Sequence, residues 1–231
     1  IKDAQATAKA AAEILGCDAK DIAVASTGVI GVNLPMDKML GGVKAAAAEL
    51  SVDGSQNAAR AIMTTDTHAK EIATEYEFDG KKIRIGAIAK GSGMICPNMA
   101  TMLAFITTDC DITSYALQTT LRSVAKRTFN MISVDGDMST NDMAVVLANG
   151  AAGNPPITAK GADYDKFYAT LLSLCQEISK RIAADGEHAT ICGRSRVSAA
   201  VFGGGRHTWR LQQDLKAEKR EGAWLLTESR A

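Results

Sequence analysis

A threonine that follows an alanine inside an uncharged, glycine-punctuated stretch can do a particular kind of chemistry. Residues Lys90 to Ala104 read KGSGMICPNMATMLA, and from Gly91 to Thr108 no residue carries a formal charge. If the Ala100-Thr101 bond is held in a tight turn, the Thr101 hydroxyl can attack the Ala100 carbonyl. The amide becomes an ester, and water hydrolyses the ester to leave Thr101 as a new amino terminus. The small side chain of Ala100 leaves room for that attack. The freed α-amino group has a reference pKa of about 7.7 to 8, close to working pH, and sits on the same residue as the hydroxyl it must deprotonate. One residue then supplies both nucleophile and base. The same stretch has a plainer reading, a buried loop between two sheets in which the glycines and Pro97-Asn98 only punctuate the chain. Local chemistry leaves both open.

Other signatures fail on their spacing. Gly91-Ser92-Gly93 is followed by Cys96 where a dinucleotide loop needs its third glycine, and no Gly-Lys-Ser/Thr follows to make a phosphate loop. Asp135, Asp137 and Ser139 imitate the opening of a calcium loop, yet Thr140 and Val146 stand where a glycine and a bidentate glutamate are required. His68, His188 and His207 lack ligand spacing, and the five cysteines (Cys17, Cys96, Cys110, Cys175, Cys192) form no C-x-x-C pair. They read as reduced thiols of a cytoplasmic protein, with neither metal nor bound cofactor expected.

The elements that must position Thr101 follow from periodicity. An Ala-rich helix from about Ala4 to Leu15 is closed by Gly16. Ile22 to Ser26 reads as a buried strand leading into a Ser26-Thr27-Gly28 turn. Pro35 opens a helix through Leu50, and Asp53 to Ser55 lead into another that runs to about Met63. Glu71 to Phe78 and Lys81 to Ala89 alternate in character around Asp79-Gly80, the signature of a two-residue hairpin. Leu103 to Thr108 and Met143 to Ala148 read as strands. Thr113 or Ser114 caps a helix, and Asp163 to Ala184 is a long amphipathic one. Interleaved strands and helices with a hairpin in the middle predict an α/β fold, a layered sandwich with mixed sheets.

The 231 residues carry 26 Lys and Arg against 26 Asp and Glu, and 46% are hydrophobic. That is enough chain for one large domain or two small ones with a real core. Zero net charge removes the cationic footprint of a nucleic-acid binder. The longest uncharged stretch is too rich in Gly, Ser, Pro, Asn and Thr to span hydrocarbon, so no membrane segment is expected. The chain starts with Ile1 and lacks a secretion-type leader pattern, as an internal fragment would. From Gly193 the composition changes: the last 39 residues hold both tryptophans, eight Arg or Lys against four acids, and Gly203-Gly204-Gly205.

Taken with ASTGVIG (Ala25 to Gly31), TTDT (Thr64 to Thr67), FNMISVDGDMSTND (Phe129 to Asp142) and DGEHAT (Asp185 to Thr190), the segment KGSGMICPNMATML resembles the ornithine acetyltransferase family of arginine biosynthesis. The likeness runs from the first residues to about Thr190. It implies a self-processing α-β-β-α-like sandwich of the N-terminal-nucleophile type, a cut between Ala100 and Thr101, and transfer of an acetyl group from N-acetylornithine to glutamate. Some members also accept acetyl-CoA as donor. By resemblance Thr101 is the nucleophile, Thr27 and Gly28 form the oxyanion hole, and Thr64, Lys90, Thr101 and Glu187 bind substrate. Lys90 suits an α-carboxylate and Glu187 an ammonium.

The resemblance further implies that residues 1–100 and 101–190 become two chains, assembled as two copies of each, with 191–231 a divergent tail from a truncated or shifted reading. About 80 residues of the family's usual sequence would precede Ile1. Met138 replaces a threonine and Cys96 a small residue of the family pattern. An amidase or peptidase using the same nucleophile, and an inactive fragment, are the alternative readings.

Overall fold

The computed structural model of the chain describes residues 1–29, 31–93, 95, 102–134, 139, 141–158 and 160–186, together with the strand backbones at 189–194, 199–203, 215–220 and 223–228. Two compact units result, Ile1–Asn57 and Ala58–Ala231.

In the first unit, α1 (Lys2–Leu15) packs against α2 (Met36–Ala48). Gly16 closes α1 as expected: at φ 69° it adopts the left-handed cap conformation and returns its N–H to the Ala12 carbonyl. The expected strand at Ile22 to Ser26 is not there. These residues are irregular and partly exposed. A strand needs a neighbour for its backbone groups, and the described residues of this unit contain none. Helix α3 (Ser55–Ala61) follows.

The second unit is built on the hairpin. Strands β1 (Lys70–Phe78) and β2 (Lys81–Lys90) pair antiparallel from Phe78↔Lys81 back to Lys70↔Ala89. Asp79 (φ 49°) and Gly80 (φ 67°) both sit at positive φ, the geometry whose twist suits two right-twisted strands. β3 (Leu103–Thr108) pairs antiparallel with β2 and parallel with β4 (Met143–Ala148), giving a mixed sheet in the order β1-β2-β3-β4. The parallel pair requires a crossover, which α4 (Ser114–Lys126) supplies. Thr113 is its cap, its side chain accepting the Ala116 N–H at 3.4 Å.

Alternation in β2 turns Ile83, Ile85, Ala87 and Ala89 inward. The long helix α5 (Ala162–Ala184) meets the β1–β2 hairpin with a stripe of Phe167, Leu171, Leu174, Cys175, Ile178 and Ile182, all buried, at helical spacing. Each Phe, Leu and Ile of the stripe contributes about 1.5–3 kcal/mol by leaving water. The segment beyond α5, which fits none of the preceding patterns, forms a second sheet in the order β6-β5-β8-β7 from β5 (Ala189–Arg194), β6 (Ala199–Gly203), β7 (Leu215–Arg220) and β8 (Ala223–Glu228). Helix α5 touches both sheets, through β1 and β2 on one and β5 and β6 on the other. The expected α/β class with mixed sheets is the observed one.

Candidate active site

Strand register brings two of the expected residues together. Because Lys70 pairs with Ala89, the segment that precedes β1 runs beside the end of β2. There Lys90 Nζ donates to Thr64 Oγ1 at 2.8 Å. Lys90 also pairs across the sheet with Leu103, two residues after Thr101 in sequence. The Lys90 side chain is almost wholly out of water, 3% exposed, and Thr64 Oγ1 is its single hydrogen-bond partner among the described residues. Burial pushes its pKa below the ordinary lysine value, with Asp66 opposing that shift and Lys70 adding to it. An ammonium so desolvated is prepared to meet an anion.

Beneath this pair lies a cluster that the sequence reading did not single out. Lys70, completely buried, donates to Asp66 Oδ1 at 2.6 Å and to Asp185 Oδ2 at 2.5 Å. Asp66 also accepts the Gly91 N–H at 2.7 Å and the Thr64 N–H at 3.2 Å. Burial acts against its ionised form, yet the Gly91 N–H, Lys70 and the Thr64 N–H outweigh it and hold the carboxyl below its ordinary pKa. Asp185, at the end of α5, accepts the Thr67 N–H through both oxygens, at 3.2 and 3.1 Å, and the Thr67 hydroxyl. His68 Nδ1 lies 3.4 Å from Asp185 Oδ1. Thr65 and Ser92 join their hydroxyls at 2.7 Å. The signal for the two aspartates was in the TTDT and DGEHAT motifs, where Thr64 and Glu187 were assigned a task and Asp66 and Asp185 were not.

Gly91 needs its identity for a separate reason. At φ 153° it is in a region that side chains rarely adopt, and a Cβ there would sit 3.3 Å from Met102 Cβ and 3.4 Å from Ile182 and Ile95. Met102 is anchored in turn: its N–H donates to Asp142 Oδ1 at 2.9 Å, and its carbonyl accepts the Met143 N–H at 3.0 Å. Burial raises the Asp142 pKa, against the pull of that Met102 bond.

Thr27 and Gly28 belong to the first unit, in the irregular segment between α1 and α2, Thr27 half-buried and Gly28 exposed. Among the described residues neither the Thr27 hydroxyl nor the Gly28 N–H has a hydrogen-bond partner, and a Cβ at Gly28 would meet nothing within 4 Å. Ala100, Thr101 and Glu187 lie outside the described residues, as do Cys96, Asp135, Asp137, Met138, Thr140, His188 and His207. Cys110 and Cys175 are buried free thiols and Cys17 an exposed one. Among the described residues no three His, Cys, Asp or Glu side chains gather in a way that would hold a metal ion, and no helix is long and apolar enough to cross a membrane.

Comparison with known proteins gives these residues a context. The Arginine biosynthesis bifunctional protein ArgJ of Symbiobacterium thermophilum is 49% identical over 225 residues, covering 88% of this chain and 56% of that protein. The protein of the same name from Caldanaerobacter subterraneus is 49% identical over 190 residues, covering 82% and 47% respectively. A crystal structure of arginine biosynthesis bifunctional protein argJ from Bacillus halodurans shares 46% identity over 38% of this chain and 43% of that one, with a TM-score of 0.37. The chain spans about half the length of the curated relatives it matches. The ArgJ family model matches residues 1–202, a span that takes in all the motifs carrying the resemblance, and the chain belongs to the ArgJ family.

Proposed function

We propose that this chain is part of a glutamate N-acetyltransferase of arginine biosynthesis that cuts itself before Thr101 and then uses Thr101 as nucleophile. The observation that carries the reading is the desolvated Lys90 ammonium, hydrogen-bonded to Thr64 and paired across the sheet with the residue two places after Thr101. Donor and acceptor both bear an α-carboxylate, a group that a buried ammonium binds well. Relatives named for arginine biosynthesis support the substrate class.

In the first half-reaction the Thr101 hydroxyl attacks the acetyl carbonyl of N-acetylornithine while its own α-amine takes the hydroxyl proton. By the family resemblance, the Thr27 hydroxyl and the Gly28 N–H are the donors assigned to the oxyanion. Collapse breaks the C–N bond, the ornithine nitrogen takes the proton, and an acetyl ester remains on Thr101. In the second, the glutamate α-amine attacks that ester; the Thr101 hydroxyl is restored and N-acetylglutamate leaves. Glu187 pairs with a substrate ammonium. No metal or bound cofactor enters the scheme, and acetyl-CoA is the alternative donor. The two pieces, of 100 and 131 residues here, assemble as two copies of each, in the cytoplasm.

Denaturing electrophoresis and mass spectrometry of the full-length protein test the cut: the wild type separates into two pieces and Thr101→Ala stays whole. Labelled N-acetylornithine tests the transfer. Label reaching glutamate supports the reading, whereas acetate released equally with and without glutamate makes the protein a hydrolase. Thr27→Ala should slow transfer by about 100- to 1000-fold if its hydroxyl is an oxyanion donor.

A further inference from the structure

Asp66, Lys70 and Asp185 have no task in that chemistry, yet they tie together the three segments that hold its substrate-binding residues. We propose that Asp66, Lys70 and Asp185 form a positioning device for the pocket, an ion-pair triad that fixes the Thr64 segment, the end of β2 at Lys90-Gly91 and the end of α5. The inference rests on the reading of Thr64, Lys90 and Glu187 as substrate-binding residues.

One carboxylate reaches both partners of the Thr64–Lys90 pair. Asp66 Oδ2 accepts the N–H of Thr64 itself, and Asp66 Oδ1 accepts the N–H of Gly91, the residue next to Lys90. A shift of the Asp66 side chain therefore moves both sides of the pair together. Lys70 joins Asp66 to Asp185 through bonds of 2.6 and 2.5 Å, across 115 residues of sequence. Asp185 then holds Thr67 through backbone and side chain, and stands two residues before Glu187.

Stability does not call for this arrangement. Replacing a buried ion pair with apolar side chains is often neutral or favourable, so three buried charges are poor value as fold cement. What they supply is directional bonding to loop N–H groups, which apolar packing cannot provide. Asp66 also acts on Lys90 through charge, opposing the effect of burial there, and half-exposed His68 lies against Asp185.

The test is steady-state kinetics of the full-length protein carrying Asp66→Asn, which keeps the shape but puts an amide where two donors and an ammonium now point. The KM for N-acetylornithine should rise by about tenfold or more, and kcat/KM should fall by as much as ~100-fold, because small misplacements of binding groups carry costs of that order. Scission before Thr101 and cooperative thermal unfolding should persist. A lowered unfolding midpoint with unchanged KM would make the triad merely structural and overturn the proposal. Should Asp66→Asn fail to fold, Asp185→Asn leaves the Asp66 bonds to Thr64 and Gly91 in place; a smaller KM rise supports the proposal and none overturns it. If the wild type transfers no acetyl group, the functional reading falls by itself. The triad is then judged by trace labelling of Lys90 with acetic anhydride: a several-fold change in Lys90 labelling in Asp66→Asn supports positioning, and an unchanged rate overturns it.

Discussion

The two units of this chain solve the burial problem very differently. In Ile1–Asn57 the helices are rich in alanine, α1 buries only Thr7, Ala8 and Ala12, and α2 buries no residue at all. Val29, Val32, Leu50 and Val52 stand largely in water, Val52 completely. In the second unit, sheet and α5 enclose a continuous core from Ile83 to Ala183, and Lys70, also fully buried, is paired with Asp66 and Asp185. Alanine contributes little area per residue, whereas isoleucine, leucine and phenylalanine contribute most of what the hydrophobic effect can give. The difference teaches that the Lys90–Thr64 pair adjoins a well-buried core, while the Thr27-Gly28 segment belongs to a unit that buries little.

That contrast can be broken by substitution. The largest effect is expected from Phe167→Ala, which leaves a cavity in the second unit and should cost about 3–5 kcal/mol in denaturant unfolding. Acid should act next. Asp66 has its folded-state pKa below the ordinary carboxylate value, so its contribution is present above the unfolded pKa and lost as pH falls through the folded one. Stability measured from neutral pH downward should therefore decline along a limb that Asp66→Asn flattens. Gly16→Ala should cost about 1–2 kcal/mol, since alanine at φ 69° pays the left-handed penalty, and the loss should show as faster hydrogen exchange confined to the first unit. Val52→Ala should stay within about 0.5 kcal/mol, because that side chain has no burial to lose. A Val52→Ala effect as large as that of Phe167→Ala would erase the contrast.

Legibility in the sequence followed the range of the interactions. Asp79-Gly80 announced the hairpin because a two-residue turn at positive φ is a local demand that few residues meet. The stripe on α5 and the Gly16 cap were equally local. Ile22 to Ser26 misled because a short apolar run looks like a strand whether or not another strand exists to pair with it. At the site, Thr64 and Lys90 were named through their motifs, and register then placed them in contact. Lys70 could not be read at all. A lysine at the start of an amphipathic strand looks solvated, and its burial depends on an aspartate 115 residues away.

The β2–β3 ladder has a consequence for a severed chain. Ile85 through Lys90 lie before the Ala100-Thr101 bond and Leu103 through Thr108 after it, yet their backbones are stitched together in the interior of one sheet. Breaking that bond would free no edge. The upstream piece would keep its hairpin, the downstream piece its parallel pair, and parting them would mean tearing a sheet down its middle. A cut there would alter the covalent formula and leave this ladder where it was.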